Sequence, residues 1–202
     1  MSKLNKYTLS LVLLCMGAFM YGQLSFSENA TASGISVTYG DSELGGGVSF
    51  VDFDNDGWDD ISFASQSGSE LYFYKNTNGH FSIVNFNGIS NTQKTKQIVW
   101  VDYDNDGDKD LFLAVLIGAN KFYRNDGHMN FTDISATIGF FQDDLFTYSV
   151  SFGDIDNDGD LDAYIYATGM APMKIKGIIC IKMITEHMWI YHIVQVLLWL
   201  AN

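Results

Sequence analysis

Apolar and polar residues alternate in short runs through most of this chain. Val48-Ser49-Phe50-Val51, Ile98-Val99-Trp100-Val101 and Val150-Ser151-Phe152-Gly153 each lead into an acidic segment. Ile61-Ser62-Phe63, Leu111-Phe112-Leu113 and Ala163-Tyr164-Ile165 each lead out of one. Period-two patterning rich in aromatic and β-branched residues predicts strands, so each acidic segment is a bend joining two of them. A second strand pair follows in the first two copies. Residues 70–75 lead through Asn76-Thr77-Asn78-Gly79 to residues 80–84, and residues 121–124 lead through Asn125-Asp126-Gly127 to residues 130–134. Asn-Gly and Asp-Gly favour the positive φ angles that tight hairpins need. His80 and His128 fall at these turns and are expected at the surface rather than as ligands.

The repeating unit is therefore four short strands, and its acidic segments begin at Asp52, Asp102 and Asp154, spaced by 50 and 52 residues. Such a unit matches a propeller blade. The expected fold class is all-β: a partial β-propeller of about three four-stranded blades, with the acidic loops between first and second strands. Residues 24–35 parallel residues 131–140, each with a Phe eight positions before a Gly (Phe26 and Gly34; Phe131 and Gly139). The chain is thus expected to open with an outer strand that lacks its own blade.

Each acidic segment follows one nine-residue string, D-x-D-x-D-G-x-x-D. Four carboxylates on a short loop repel one another unless a cation sits among them. The first, third and fifth positions are Asp52, Asp54 and Asp56; Asp102, Asp104 and Asp106; and Asp154, Asp156 and Asp158. Alternate residues of a tight loop converge on one point, and Gly57, Gly107 and Gly159 at position six permit the sharp turn. The seventh residues, Trp58, Asp108 and Asp160, offer a main-chain carbonyl. The ninth, Asp60, Asp110 and Asp162, offer a further carboxylate. Five such groups, with bidentate binding or water, reach the 6–8 oxygens typical of calcium; magnesium ranks second because it keeps more water. The expected cofactor is calcium (Ca2+), about three ions, one per loop.

The string opens like an EF-hand loop, but that family needs a Glu at position twelve. Phe63, Leu113 and Ile165 stand there instead, and the flanks alternate like strands. Cysteine-laced calcium repeats are excluded by composition, since the chain has 2 cysteines. A nonapeptide β-roll would need far closer repetition.

Charge adds to this picture. The formal net charge is −13. Between residues 23 and 171 there are 23 Asp and Glu against 6 Lys and Arg, and fifteen of those acids lie in the three loops. Acids merely solubilising a surface would not cluster at a fixed period. A chain so acidic lacks the basic face that nucleic-acid binding requires. At 47% hydrophobic and 15% aromatic residues, it has enough apolar material for a packed core.

The ends read differently from the body. Lys3 and Lys6 precede an apolar run from Leu9 to Met20, so residues 1–22 are expected to be a signal peptide, too short for a comfortable membrane span. Leu14 precedes Cys15 where a lipid-attachment signal wants a small residue, and the body has no cysteine pair, leaving calcium to take over the role of a staple. Residues 23–171 carry the repeats. Residues 172–202 form an apolar tail, interrupted by Lys182, Glu186, His187 and His192, in which the repeat is lost. Met and Trp each have one codon, so a one-base shift forces Asp at Met183–Ile184, Val at Met188–Trp189 and Asp at Trp189–Ile190. With permissible codons, the shifted frame across 178–192 yields Y-L-Y-K-N-D-N-G-T-Y-V-D-I-S, parallel to residues 121–135. The tail is therefore expected to reflect a reading-frame slip, and the nucleotide sequence decides this.

V-D-F-D-N-D-G-W-D-D-I, V-D-Y-D-N-D-G-D-K-D-L and G-D-I-D-N-D-G-D-L-D-A resemble FG-GAP/VCBS repeats, found in integrin α-subunit propellers and many secreted bacterial proteins. L-Y-F-Y-K-N-T-N-G-H-F, K-F-Y-R-N-D-G and F-T-D-I-S-A-T-I-G resemble the secreted ASPIC/UnbV-type members. The resemblance implies a secreted, calcium-binding β-propeller for extracellular adhesion or interaction with a protein or glycan. No catalytic set accompanies it: there is no G-x-S-x-G elbow, phosphate loop or Cys/His cluster. Asp59 and Asp60 read as structural repeats rather than an acid–base pair. The alternatives are an ancillary propeller of a larger secreted hydrolase or lyase, and a calcium buffer.

Overall fold

A computed structural model describes residues 25–37, 45–137, 145–154, 157, 159 and 161–169, together with three strands beyond them. The proposed signal peptide, Asp156, Asp158 and Asp160 lie outside the described residues. All regular elements among the described residues are strands, arranged in three antiparallel sheets.

The first sheet contains β1 (Val48–Val51), β2 (Asp60–Phe63), β3 (Tyr72–Thr77) and β4 (His80–Val84), laid side by side in chain order. The second contains β5 (Thr95–Val101), β6 (Asp110–Val115), β7 (Lys121–Asn125) and β8 (Phe131–Asp133), again in order. In the third, β9 (Leu145–Gly153) pairs with β10 (Asp162–Gly169), and β10 with β11 (Lys176–Ile184). β12 (His187–Trp189) and β13 (Ile193–Val194) both pair with β11. These last three strands come from the tail, whose run of isoleucines at 178, 179, 181 and 184 suits an extended chain.

The alternating runs fall on the strands they predict, with differences at the turns. β3 begins at Tyr72 rather than residue 70, because its last pair with β2 is Phe63 with Tyr72. The first hairpin is tight, closed by Thr77 opposite His80, with Asn78 at φ 53 and Gly79 at φ 85. The second is longer: Asn125 pairs with Phe131, and positive φ falls on Gly127, His128 and Met129 rather than on Asp126. The outer strand expected within residues 24–35 does not form in the described part, 25–35. Ser33 and Ser36 bind the first sheet: Phe81 N–H donates to the Ser33 carbonyl at 2.8 Å, and the Tyr74 hydroxyl donates to the Ser36 carbonyl at 2.8 Å.

Side-chain alternation decides what packs where. β6 is buried along its whole length. Leu111, Leu113 and Val115 join Phe53, Phe73, Ile98, Trp100 and Tyr123 in the cluster between the first and second sheets. Phe112 and Ala114 face the other way, into a cluster with Phe122, Val150, Ala163 and Ile165 between the second and third. Edge and tilted ring contacts centre on Trp100, 5.1 Å from Phe53 and 5.8 Å from Phe73. Its indole N–H donates to the Ser62 hydroxyl at 2.9 Å, which satisfies the polar end of a buried ring.

The segment that precedes each of the first two sheets touches the fourth strand of that sheet. Phe131 N–H donates to the Asn87 carbonyl at 2.9 Å, as Phe81 does to Ser33. Gly34 and Gly88 sit at these crossings with φ of 93 and 88, and a Cβ there would lie 2.3 and 1.7 Å from the carbonyl oxygens of Phe81 and Phe131. No other residue type fits this close backbone approach.

Candidate metal sites

The acidic loops lie between β1 and β2, between β5 and β6, and between β9 and β10. Each first aspartate bends its own loop. In the first loop the Asp52 carboxylate accepts the N–H of Asp56 at 3.0 Å and of Gly57 at 2.8 Å, and Asp56 accepts the N–H of Trp58 at 2.9 Å. In the second, Asp102 accepts from Gly107 at 3.1 Å and Asp106 from Asp108 at 2.9 Å. The third keeps the same bond, Gly159 N–H to Asp154 at 3.0 Å. Positions four and six are left-handed in all three: Asn55, Asn105 and Asn157 at φ 58–59, and Gly57, Gly107 and Gly159 at φ 93–94. Asn and Gly are the residues that adopt this conformation readily.

The curl brings alternate carboxylates together. Asp52, Asp54 and Asp56 each present an oxygen within 4.8 Å of the others, and so do Asp102, Asp104 and Asp106. Calcium–oxygen bonds of about 2.3–2.6 Å set oxygens on opposite sides of one ion about 5 Å apart. The spacing therefore suits a common ion. Asp54 Oδ1 and Asp102 Oδ1 are buried without a hydrogen-bond partner. An oxygen in that state is costly unless something positive meets it. The donor set, carboxylates without sulfur or imidazole, selects hard cations such as calcium or magnesium. On these observations the loops fit the expected ion.

The ninth aspartates stand apart from the triads. Asp60 and Asp110 are fully buried, and Asp162 is 1% exposed. Asp60 accepts the N–H of Phe53 at 3.1 Å through one oxygen and of Asn76 at 2.7 Å through the other. Asp110 does the same with Tyr103 at 3.1 Å and Asn125 at 2.8 Å. Asp60 and Asp110 thus each tie their loop to the third strand of their sheet. Burial raises both acids above the usual carboxylate range despite these bonds; Asp110 is pushed up to about 7. Asp104 is also raised, by desolvation and by the neighbouring Asp106. Trp58 and Asp108, the seventh residues of the first two loops, present their N–H groups to Asp56 and Asp106, and the Trp58 side chain is 45% exposed beside the first loop.

Asparagines at two places in the repeat escaped the motif reading. Asn76 is the next-to-last residue of β3 and Asn125 the last of β7; their side-chain amides donate to the carbonyls of Asp59 at 2.9 Å and Lys109 at 3.3 Å. Their side-chain oxygens accept from Gly79 and Gly127, so each joins the acidic loop to its hairpin. Position four of the loops links neighbouring sheets. Asn55 donates to the Gly107 carbonyl at 2.9 Å, and Asn105 to the Gly159 carbonyl at 3.5 Å. The sequence signal was present: Asn at position four of every loop, and a basic residue followed by Asn before both hairpins.

The cations nearest the loops behave differently. The Lys75 ammonium contacts Asp54 and lies 2.8 Å from Asp56. Its hydrogen bond lowers the Asp56 pKa, and the two carboxylates raise that of Lys75. Arg124 holds Asp126 instead, at 2.7 Å.

A model of the FG-GAP-like repeat matches residues 52–113 and 102–165. No curated protein matches the chain.

Proposed function

The chain belongs to the FG-GAP-like repeat family, and from that premise we propose that it is a secreted, calcium-binding β-propeller module of the ASPIC/UnbV type. In this reading it serves extracellular adhesion by binding a protein or glycan, and it is not a catalyst. The observation that carries the metal assignment is the pair of aspartate triads, each gathered within 4.8 Å on equivalent loops of successive sheets. Asp52, Asp54, Asp56 and Asp60 would hold one ion, and Asp102, Asp104, Asp106 and Asp110 a second, with the carbonyls of Trp58 and Asp108. Asp154, Asp156, Asp158, Asp160 and Asp162 repeat the motif for a third. Bound calcium supplies the positive charge that lets these carboxylates share a small volume. Because the ion prefers the folded loop, occupancy stabilises the fold by about RT ln(1 + [Ca]/Kd), or ~2.7 kcal/mol at a hundredfold excess over Kd.

Sheets of four strands in chain order, packed face to face through two apolar clusters, support the propeller reading. So do the outward faces. Val48 and Phe50 are each 62% exposed on the first sheet, and Tyr148, Tyr164 and Tyr166 are exposed on the third. These are the positions that further blades cover in a closed ring. No helix among the described residues is long and apolar enough to cross a membrane.

Calorimetric titration with calcium, run beside thermal melts in chelator and in millimolar calcium, tests the reading. About three ions should bind, the melting temperature should rise with calcium, and Asp104→Ala should remove one binding event. Identical melts and no heat of binding would overturn it.

A further inference from the structure

Lys75 and Arg124 occupy the same place in successive sheets. Each precedes the asparagine whose N–H binds the ninth carboxylate, Asn76 to Asp60 and Asn125 to Asp110. Their partners nonetheless differ. Lys75 reaches into the first loop and engages two of its three clustered carboxylates, Asp54 and Asp56. Arg124 is held away from the second loop by the hairpin acid Asp126, with Nε and Nη2 both 2.7 Å from Oδ1. It also interacts with the Tyr103 hydroxyl. The first sheet lacks both restraints. Thr77 stands where the second has Asp126, and Phe53 stands where it has Tyr103. With no acid in the hairpin and no hydroxyl beside it, the nearest negative charge for Lys75 is the loop itself.

We propose that Lys75 is a built-in counter-ion that competes with calcium for the first loop, so that the first loop binds calcium more weakly than the second and fills after it. The inference rests on the calcium reading above and deepens it by assigning unequal affinities to loops with the same motif. Two ligand carboxylates must release the ammonium before they can serve an ion, and a displaced lysine remains a like charge nearby. The second loop meets neither cost. The same contact gives the first loop partial neutralisation when calcium is scarce. The pair of sites therefore answers a wide range of calcium concentration rather than a single one.

Terbium, an oxygen-seeking ion of calcium's size, provides a loop-specific probe. Trp58 belongs to the first loop and is partly exposed, so indole-sensitised terbium emission reports that loop. Trp100 stands two residues before Asp102 and 5.1 Å from Phe53, so the first-loop signal is read as the part of the emission that Trp58→Phe removes. The full chain would be titrated as wild type, Lys75→Met and Lys75→Arg. Removing the ammonium should lower the terbium midpoint about fivefold, the size of a partly exposed ion pair. Lys75→Arg should stay near wild type. In chelator, Lys75→Met should melt below wild type and gain more from calcium.

Thr77→Asp gives a second route that leaves the lysine in place, at an exposed hairpin position. It offers Lys75 the partner that Arg124 has in Asp126 and should also lower the midpoint. Equal midpoints in wild type, Lys75→Met and Thr77→Asp, with binding intact, would overturn the competition and leave calcium binding standing. Absence of terbium emission and of calcium heat in every variant would overturn both.

Discussion

The first and second acidic loops share a motif, a curl and a buried brace, yet they balance their charge by different means. Asp54 and Asp56 meet Lys75, whereas Asp104 and Asp106 face no lysine or arginine in the same manner because Arg124 is committed to Asp126. The nine motif positions govern backbone shape: the Asp52 and Asp102 bonds and the left-handed asparagine and glycine recur almost unchanged. Residues that differ between the copies, Thr77 against Asp126 in the hairpin and Phe53 against Tyr103 at the variable second position of the string, decide where the neighbouring cation goes. Copies of one motif are therefore copies of a geometry, and the unequal affinities proposed for them come from the residues at which the copies differ.

The largest effect should come from the feature the two loops share. Asp60→Ala leaves two buried N–H groups without an acceptor, and Asp110→Ala one buried and one half-buried, at ~1–3 kcal/mol apiece. Both variants should melt roughly ten degrees below wild type in calorimetry, since ~1 kcal/mol shifts a chain of this size by about 2–4 °C. A large loss in one and a negligible loss in the other would end the equivalence of the two braces.

A smaller effect lies in pH. Burial raises Asp110 from 3.8 to about 7, so the folded, metal-free chain holds this proton more tightly than the unfolded chain does. The native state then carries the extra proton between about pH 4 and pH 7. The Asp110 contribution to stability falls as pH climbs through that window and levels off above it. Carbon-13 titration of the Asp110 carboxyl in chelator should give a midpoint near 7 and a lower one in millimolar calcium. A midpoint in the ordinary carboxylate range without metal would remove this feature. Asp60 should move in the same direction for the same reason.

The smallest effect separates the links between loops. Asn55→Ala removes an exposed hydrogen bond of 2.9 Å and should cost about 0.5–1 kcal/mol in urea denaturation. Asn105→Ala removes a 3.5 Å contact and should cost less. The reverse order would show that the second link matters more than its length suggests.

Much of this architecture was legible in the alternation. Val48–Val51 and His80–Val84 form strands over their full predicted lengths, since period-two patterning reports a local property of the chain. The aspartates at positions one, three and five were likewise legible, because a tight loop converges its alternate side chains. What escaped depends on residues far apart in sequence. Asp60 reads as an acid, but its burial depends on β3 closing over it through Asn76, 16 residues later. Lys75 reads as a strand-end cation, and its reach to Asp54 spans 21 residues. Residues 131–140 and 24–35 share a Phe–Gly spacing, but an outer strand forms only where a third strand offers a partner, as β7 does for β8. The hairpin after Asn125 lengthened because the left-handed conformation moved to His128 and Met129.

The amide of Asn55 on the Gly107 carbonyl has a consequence for how such chains grow. Both halves of this clasp lie inside the motif, one on each of two consecutive copies. A duplicated unit therefore arrives with a donor for its successor and an acceptor for its predecessor. The array can be lengthened or shortened by whole units with the junction still fastened, while a point change at position four removes the donor of the seam.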